Sequence, residues 1–419
     1  MKKTKLAFAL SSILLSSSAL ATNGTNLIGI GAKSTALGGT GVAAYFGAEN
    51  LLANPALIGK SQGTELIFGG TVFMPDVRTE HNMNDFATFA GGESEGDANG
   101  IYRAKSDGDL FVVPSAAFSS RINENMVYGI GMFGTSGLGA EYQDNKSMFN
   151  GHTALQILRF APSLTFHNEV AGIGFSPIIQ YGALDINYTN PLDGTNVGKG
   201  VADDIAFGYS VGGYYDVIPG LTLAAAYTSA INMDYKGQLT TAAGPFNAFG
   251  FSVESDELEQ PAEMKLGAAY EIGNMMFTAD ARRIMWGDAK GYKDFGWQDQ
   301  DVYSIGAKYA TKDYWIGAGY NYGEMPIEEQ DGRTGAGAAA NFFNNTYFPA
   351  TTESHVTFGG GVAISKRATL EGAFAYAPEV THKMDVTALQ LDPINGDPQY
   401  TETKHSQTSA TMMIRYNFE

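Results

Sequence analysis

Four cationic side chains, Arg159, Lys265, Arg282 and Lys308, stand in runs of alternating apolar and polar residues, each on the polar phase of its run. Cations gathered from several strands onto one inner face could hold a ligand carboxylate. They could instead pair with Glu263, Asp280 and Glu371 and only fill the interior, which is the plainer reading. Both readings stay open, because a slip of one residue in strand phase turns every side chain to the opposite face. Catalytic groupings are poorer. The six histidines, His81, His152, His167, His355, His382 and His405, fall mostly in loops or at the ends of strand-like runs. The chain has no GxSxG element, no HExxH, no His pair at i, i+4 and no GxxxxGK[ST] loop. It has no cysteine, which removes thiolate metal sites, cysteine nucleophiles and disulfides. We expect no enzyme, no cofactor and no metal site.

Two aromatic groups stand out in long connections. Phe246, Phe249 and Phe251 lie in GPFNAFGF, and Phe342, Phe343, Tyr347 and Phe348 follow a Gly/Ala run. Exposed, such groups make a binding surface; packed on one another, they make a lid. Gly129, Gly131, Gly134, Gly137 and Gly139 crowd a single strand-like run. Glycine in a strand marks a bulge, a kink or a smooth bend.

The elements that must position these residues read as strands. From Thr64 to Phe418 about fourteen alternating runs form seven hairpins. Tight turns such as Asn123-Glu124-Asn125, Pro219-Gly220 and Gly273-Asn274 alternate with long acidic loops. Short turns at one end and long loops at the other are the pattern of a transmembrane antiparallel β-barrel. In AEMKLGAAY, Met264, Leu266, Ala268 and Tyr270 share one face while Glu263 and Lys265 share the other. The first run is expected over Thr64–Pro75, the third over Met126–Tyr142 and the seventh over Leu221–Tyr235.

Residues 1–21 read as a signal peptide: Lys2, Lys3 and Lys5, a short apolar run, then Ala19-Leu20-Ala21. The chain is therefore expected in the outer membrane of a Gram-negative cell, exported with a cleaved signal. Between signal and strands, Gly29 to Gly59 is rich in Gly and Ala, lacks alternation, and is too polar for a membrane span. We expect residues 22–61 to form a hatch that plugs the lumen of a barrel over 62–419.

The net charge is −18 over 419 residues, and the signal carries three of the basic residues and no acid. Such acidity argues against nucleic acid as a partner. Acids concentrate in loops, at Glu93, Glu95, Asp97, Asp107 and Asp109, over Glu254–Glu259, and at Glu324, Glu328, Glu329 and Asp331. They read as a solvated rim, with divalent bridging to lipopolysaccharide phosphates as the sharper alternative. No calcium-loop spacing is present.

Several motifs, in order, resemble the FadL family of outer-membrane transporters for long-chain fatty acids and other hydrophobic compounds. They are the Gly38-Gly39 pair, Asn54-Pro55-Ala56, FGTSGLGAEY (Phe133 to Tyr142), QPAEMKLGAAY, WQDQDVYSIGAKY, GYNYGEMPI, FPATTESHVTFGGGVAIS and AFAYAPEV. The C-terminal MMIRYNFE resembles the signal read by the outer-membrane assembly machinery, with Glu419 after the usual final aromatic. The resemblance implies loop capture of a hydrophobic molecule, a lumenal pocket beside the hatch, and lateral exit through a kinked third strand. It places capture at Phe246, Phe249, Phe251, Phe342, Phe343 and Phe348. It places the hatch or gate at Gly38, Gly39, Asn54 and Pro55, and the kink at Gly134 and Gly137. Arg159, Lys265, Arg282 and Lys308 are candidates for a fatty-acid carboxylate. It also implies a monomer surrounded by outer-membrane lipid and lipopolysaccharide. A general porin, a surface receptor or adhesin, and an outer-membrane enzyme are the other readings weighed.

Overall fold

The structure, a computed structural model, describes residues 22–83, 101–389 and 398–418. The expected signal peptide and the acids Glu93, Glu95 and Asp97 lie outside the described residues. Fourteen antiparallel strands close a barrel. They are β1 (Glu65–His81), β2 (Phe111–Asn123), β3 (Met126–Leu138), β4 (His152–His167), β5 (Ala171–Thr189), β6 (Ala202–Ile218) and β7 (Leu221–Thr228). The second half comprises β8 (Glu263–Ile272), β9 (Met275–Ile284), β10 (Gln300–Ala310), β11 (Tyr314–Gly323), β12 (Ser354–Ala363), β13 (Ala368–Asp385) and β14 (Tyr400–Asn417). Closure comes from β14 on β1, running from Asn417 opposite Glu65 to Thr401 opposite His81.

Side-chain alternation sets the two faces. Met264 and Leu266 are 54% and 63% exposed on the lipid side, while Lys265 between them is 7% exposed inside. Turn chemistry holds one rim. Asn168 Oδ1 accepts from the amides of Val170 and Ala171, and Ser365 Oγ accepts from those of Arg367 and Ala368. Gly220 adopts φ +87°, a conformation that favours glycine.

Three strands differ from expectation at their outer ends. β1 continues past Pro75 to His81. Pro75 falls between two separate partners, Phe111 opposite Phe73 and the short strand Tyr102–Lys105 opposite Arg78–His81. Among the described residues no strand pairs with Pro75 on that side to miss its N–H. β3 ends at Leu138 and β7 at Thr228. Beyond them Tyr142, Ile231, Met233 and Tyr235 turn inward and are buried beneath the outer loops.

The lumen is filled in two layers. Toward the short-turn end lies the N-terminal segment, with α1 (Gly31–Ala36), α2 (Asn50–Ala53) and a 3₁₀ turn over Pro55–Lys60. Its residues Ala36, Leu37, Val42, Phe46, Leu51 and Ile58 are buried against the wall. Toward the long-loop end, α3 (Leu239–Ala243), α4 (Gly335–Tyr347) and the connections around them form an aromatic layer.

Candidate ligand site and side window

The N-terminal segment is stitched to the wall through backbone groups. Asp280 Oδ2 of β9 accepts from the amides of Gly41 (2.7 Å) and Val42 (3.0 Å). The Gly38 amide donates to Thr357 Oγ1 at 3.0 Å, and Asn321 Nδ2 donates to the Gly38 carbonyl at 3.3 Å. Gly38 has φ +72°, and a Cβ there would lie 2.5 Å from the Tyr320 carbonyl oxygen. Across the contact, a Cβ on Gly319 would lie 2.3 Å from the Gly38 nitrogen. Glycine on both sides lets two backbones touch. Asn54 Nδ2 donates to the Val42 carbonyl at 2.8 Å and to the Gly213 carbonyl of β6 at 3.3 Å, and its Oδ1 accepts from Ala56 N at 3.0 Å. Pro55 starts the 3₁₀ turn, and its carbonyl accepts from Thr165 Oγ1 at 2.7 Å. Gly38, Asn54 and Pro55 thus lie at contacts between segment and wall, while Gly39 (φ +81°) serves the segment's internal turn.

A cavity of about 70 Å³ lies between this segment and the wall. Arg159, Glu263, Lys265 and Arg282 line it from the barrel, and Asn26, Leu27 and Glu49 from the segment. Lys265 Nζ is 3.1 Å from Glu263 Oε2 and donates to Thr228 Oγ1 at 3.2 Å. Asn26 Nδ2 donates to Glu263 Oε1 at 3.1 Å, and Arg159 Nε donates to Gln180 Oε1 at 2.8 Å. Arg282 stands directly opposite Lys265, and its Nε and Nη2 are buried without a hydrogen-bond partner among the described residues. Three cations therefore face Glu263 and Glu49. Burial pushes the Glu49 carboxyl up to about 8, against the pull of Arg415. The balance suits an anionic group.

The four candidate cations do not converge. Arg159, Lys265 and Arg282 share the cavity, whereas Lys308 stands apart with Nζ 5.7 Å over the Phe46 ring. The expected partners also separate. Glu263 pairs with Lys265, Asp280 serves the Gly41 and Val42 amides, and Glu371 pairs with Arg415 and Lys33.

A window interrupts the wall beside this cavity. β2 and β3 pair from Asn123 opposite Met126 up to Ser115 opposite Phe133 and no further. Above, the strands part until the Asp107 amide meets the Glu141 carbonyl at 3.0 Å. The register of β3 on β4 shifts between Gly134 and Ser136, a bulge. A Cβ on Gly134 would lie 2.4 Å from Val113 Cγ1 across the gap. From inside, Asn26 pairs with Ser136, and the Gly137 amide donates to the Thr25 carbonyl at 3.1 Å. Leu27, Phe73, Phe111 and Val113 pack together there as an apolar cluster. Leu27, Asn26 and Thr135 also line the cavity, so window and cavity adjoin.

The loop aromatics form a packed layer instead of an exposed patch. Phe246, Phe251, Phe342 and Phe343 are buried, and Phe249 and Phe348 are half-buried. Phe246 and Phe343 meet edge to face at 4.9 Å. Burial of the chain's largest apolar groups outweighs leaving them in water, even in loops. Three asparagines on α4 secure the layer. Asn344 Nδ2 donates to the Phe295 carbonyl and its Oδ1 accepts from Trp297 Nε1; Asn341 and Asn345 donate to the Asp385 and His382 carbonyls. Phe348, Trp297, Tyr292 and Leu258 leave a residual cavity of about 20 Å³. Sequence reading missed this asparagine set, although Asn341, Asn344 and Asn345 at helical spacing beside a phenylalanine pair were its visible signal. His152 lies 2.6 Å from Glu141 Oε2 and 3.8 Å from Asp185 Oδ2, holding the β3–β4 loop. Among the described residues no group of three or more His, Asp or Glu is placed to hold a metal ion.

Solved structures share this architecture. The Pseudomonas putida toluene transporter TodX is 20% identical, with a TM-score of 0.65 over 95% of this chain and 100% of that one. A Pseudomonas aeruginosa FadL homologue is 16% identical, with a TM-score of 0.69 over 94% and 100%. The CymD monoaromatic hydrocarbon channel is 16% identical, with a TM-score of 0.62 over 95% and 99%. At these identities the likeness is one of fold. A curated relative from Chlorobium limicola, described as an uncharacterized protein in the phosphoenolpyruvate carboxykinase gene 5′ region, is 42% identical over 78 residues, 18% of this chain. The chain spans 38% of that relative's length. The family of outer membrane protein transport proteins (OMPP1/FadL/TodX) matches residues 8–418. With its motif order, its closed barrel and its filled lumen, the chain belongs to that family of outer-membrane transporters.

Proposed function

We propose that this protein carries long-chain fatty acids or similar hydrophobic molecules passively across the outer membrane, releasing them sideways through the β2–β3 window. The observation that carries the reading is the apolar gap in the wall directly beside a cation-rich lumenal cavity. An amphiphile has two needs, a charged seat for its head and an apolar path for its tail. Arg282, whose Nε and Nη2 have no hydrogen-bond partner among the described residues, supplies the first and Leu27, Phe73, Phe111 and Val113 line the second. Flux down a gradient needs no nucleotide and no catalytic group.

The cavity is far below the roughly 300–1,000 Å³ of ordinary ligand pockets. Loading therefore requires movement of the segment at Asn26 and Leu27, which both blocks the window and lines the cavity. In this reading residues 22–61 act as hatch and gate, the barrel over 62–419 acts as the conduit, and the aromatic loop layer is where the ligand enters. Relatives of the fold include a toluene transporter and a monoaromatic hydrocarbon channel, so a neutral hydrocarbon is the second substrate reading.

The test is uptake of radiolabelled oleate and, separately, of a neutral hydrocarbon by cells lacking their own fatty-acid transporter and displaying this chain. Oleate uptake, reduced in Arg282→Met, is the expected result. Hydrocarbon uptake alone makes the cations structural. Uptake of neither by a folded barrel overturns the reading.

A further inference from the structure

Three cations stand side by side on the outer wall. Lys404 of β14 is directly opposite Arg78 of β1, and Arg78 is directly opposite Lys105 of the Tyr102–Lys105 strand. All three side chains are about half exposed. Neighbouring strands lie about 4.8 Å apart, and like charges directly opposite destabilise a sheet. No acid stands within the row. Relief comes from the adjacent rungs and the following loop: Asp76 at 2.6 Å from Arg78, Glu402 at 3.5 Å from Lys404, Asp109 at 3.7 Å from Lys105. The next rung is balanced, with Lys383 opposite Glu402, Glu402 opposite Glu80 and Glu80 opposite Arg103, so the excess of cations lies in the row itself. In a chain of net charge −18, this gathering of cations calls for a partner.

The height of the row identifies that partner. Outward positions below it are apolar, with Leu66, Phe68 and Val72 on β1 and Met412 and Ile414 on β14. From Leu66 to Asp76 the strand climbs ten residues. At about 3.3 Å per residue and a tilt of about 40°, that is a rise of roughly 25 Å, the height of an outer-membrane apolar band. The charges therefore begin where acyl chains end, at the long-loop rim. After Lys105 the chain leaves the sheet until Phe111, and a groove of about 350 Å³ opens there, lined by the cations Arg78, Arg103, Lys105 and Lys404 and the acids Glu80 and Glu402.

We propose that this sector of the wall is a binding site for the phosphorylated sugar headgroup of an outer-leaflet glycolipid, lipid A. A phosphate competes with Asp76 for the Arg78 fork, where Nε and Nη2 donate to the Asp76 carboxylate at 3.1 and 2.6 Å, and Lys404 and Lys105 flank it as point charges. The acyl chains lie along Val72, Phe68 and Met412. A soluble polyanion would have to displace lipid to reach this wall, whereas a lipid phosphate arrives on its own anchor.

The experiment is a native mass spectrometric titration of the delipidated full-length barrel with bisphosphorylated lipid A, with dephosphorylated lipid A and with phosphatidylglycerol. The variant is R78Q/K105Q/K404Q, and K366Q/R367Q at a tight turn of the opposite rim is the control. We expect bisphosphorylated lipid A to bind the triple variant at least tenfold more weakly than wild type, with the control unchanged. Dephosphorylated lipid A should bind wild type as weakly as the intact lipid binds the variant. Equal binding by variant and wild type overturns the site, and equal binding of phosphatidylglycerol reduces it to a general anionic surface. Where the triple variant does not assemble, K404Q alone carries the test: a threefold loss supports the site and unchanged affinity overturns it.

Discussion

Glu49 of the N-terminal segment and Arg415 of the last strand face each other at 3.6 Å, both buried, and neither oxygen of Glu49 has a hydrogen-bond partner among the described residues. Arg415 also pairs with Glu65 at 2.6 Å and with Glu371 at 3.0 Å, and Lys33 of α1 reaches Glu371 at 3.2 Å. One guanidinium thus joins the first strand, the thirteenth strand and the N-terminal segment.

This network makes stability depend on pH in a stated direction. Burial raises the Glu49 carboxyl to about 8 in the folded state, against about 4.3 in an unfolded chain. Between those values the folded state holds the extra proton, so stability falls as pH rises through the window and then levels off. Urea unfolding of the barrel between pH 5 and 9 should show that decline, and Glu49→Gln should flatten it. A pH profile unaltered by Glu49→Gln would remove Glu49 as the titrating group.

Replacing the guanidinium should do more harm. Arg415→Met leaves Glu65 and Glu371 buried without their guanidinium, with Lys33 still 3.2 Å from Glu371. Breaking a buried pair from one side costs about 3–5 kcal/mol. The expected outcome is a lower urea midpoint and faster proteolysis of the N-terminal segment. Adding E49Q, E65Q and E371Q to the Arg415→Met variant should recover much of the loss.

Gly134→Val should close the window. Its side chain would occupy the gap that Val113 borders, with the first carbon already only 2.4 Å from Val113 Cγ1. Uptake should fall severalfold while heat-modifiable mobility on gels stays that of an assembled barrel. The same holds for Gly137→Val, whose amide meets Thr25. Wild-type uptake in both would remove the lateral exit.

Deleting Thr22–Gly59 empties the lower lumen. Planar-bilayer recording should find a larger, steady conductance, and facilitated oleate uptake should be lost. A chain that no longer assembles would make the segment a folding element rather than a gate.

Asn344→Ala should loosen the loop layer. It removes the donor to the Phe295 carbonyl and the acceptor for Trp297 Nε1, both buried. Each group left unpaired costs about 1–3 kcal/mol. Hydrogen exchange should rise across residues 286–297 and α4, while the strands keep their protection.

Local chemistry carried much of this protein. Period-two alternation at Glu263–Leu266 determined which face meets lipid, because neighbouring side chains of a strand must point to opposite sides. Turn residues such as Asn168 and Gly220 determined the short rim, because their preferences act within a few residues. The order of hatch, glycine-rich third strand and terminal aromatics was enough to indicate the family. Other features required partners distant in the chain. Alternation places Arg159, Lys265, Arg282 and Lys308 inside but says nothing of height along the axis, so only strand register could bring three together and leave Lys308 over the Phe46 ring. Nothing local told whether Phe246 and Phe343 face water or each other; that was decided when two long loops met over the lumen and buried both rings. The window likewise belongs to no single strand. It exists because the pairing of β2 with β3 ends at Ser115 opposite Phe133 while β3 bulges at Gly134, and Asn26 of the N-terminal segment pairs with Ser136 beyond that point.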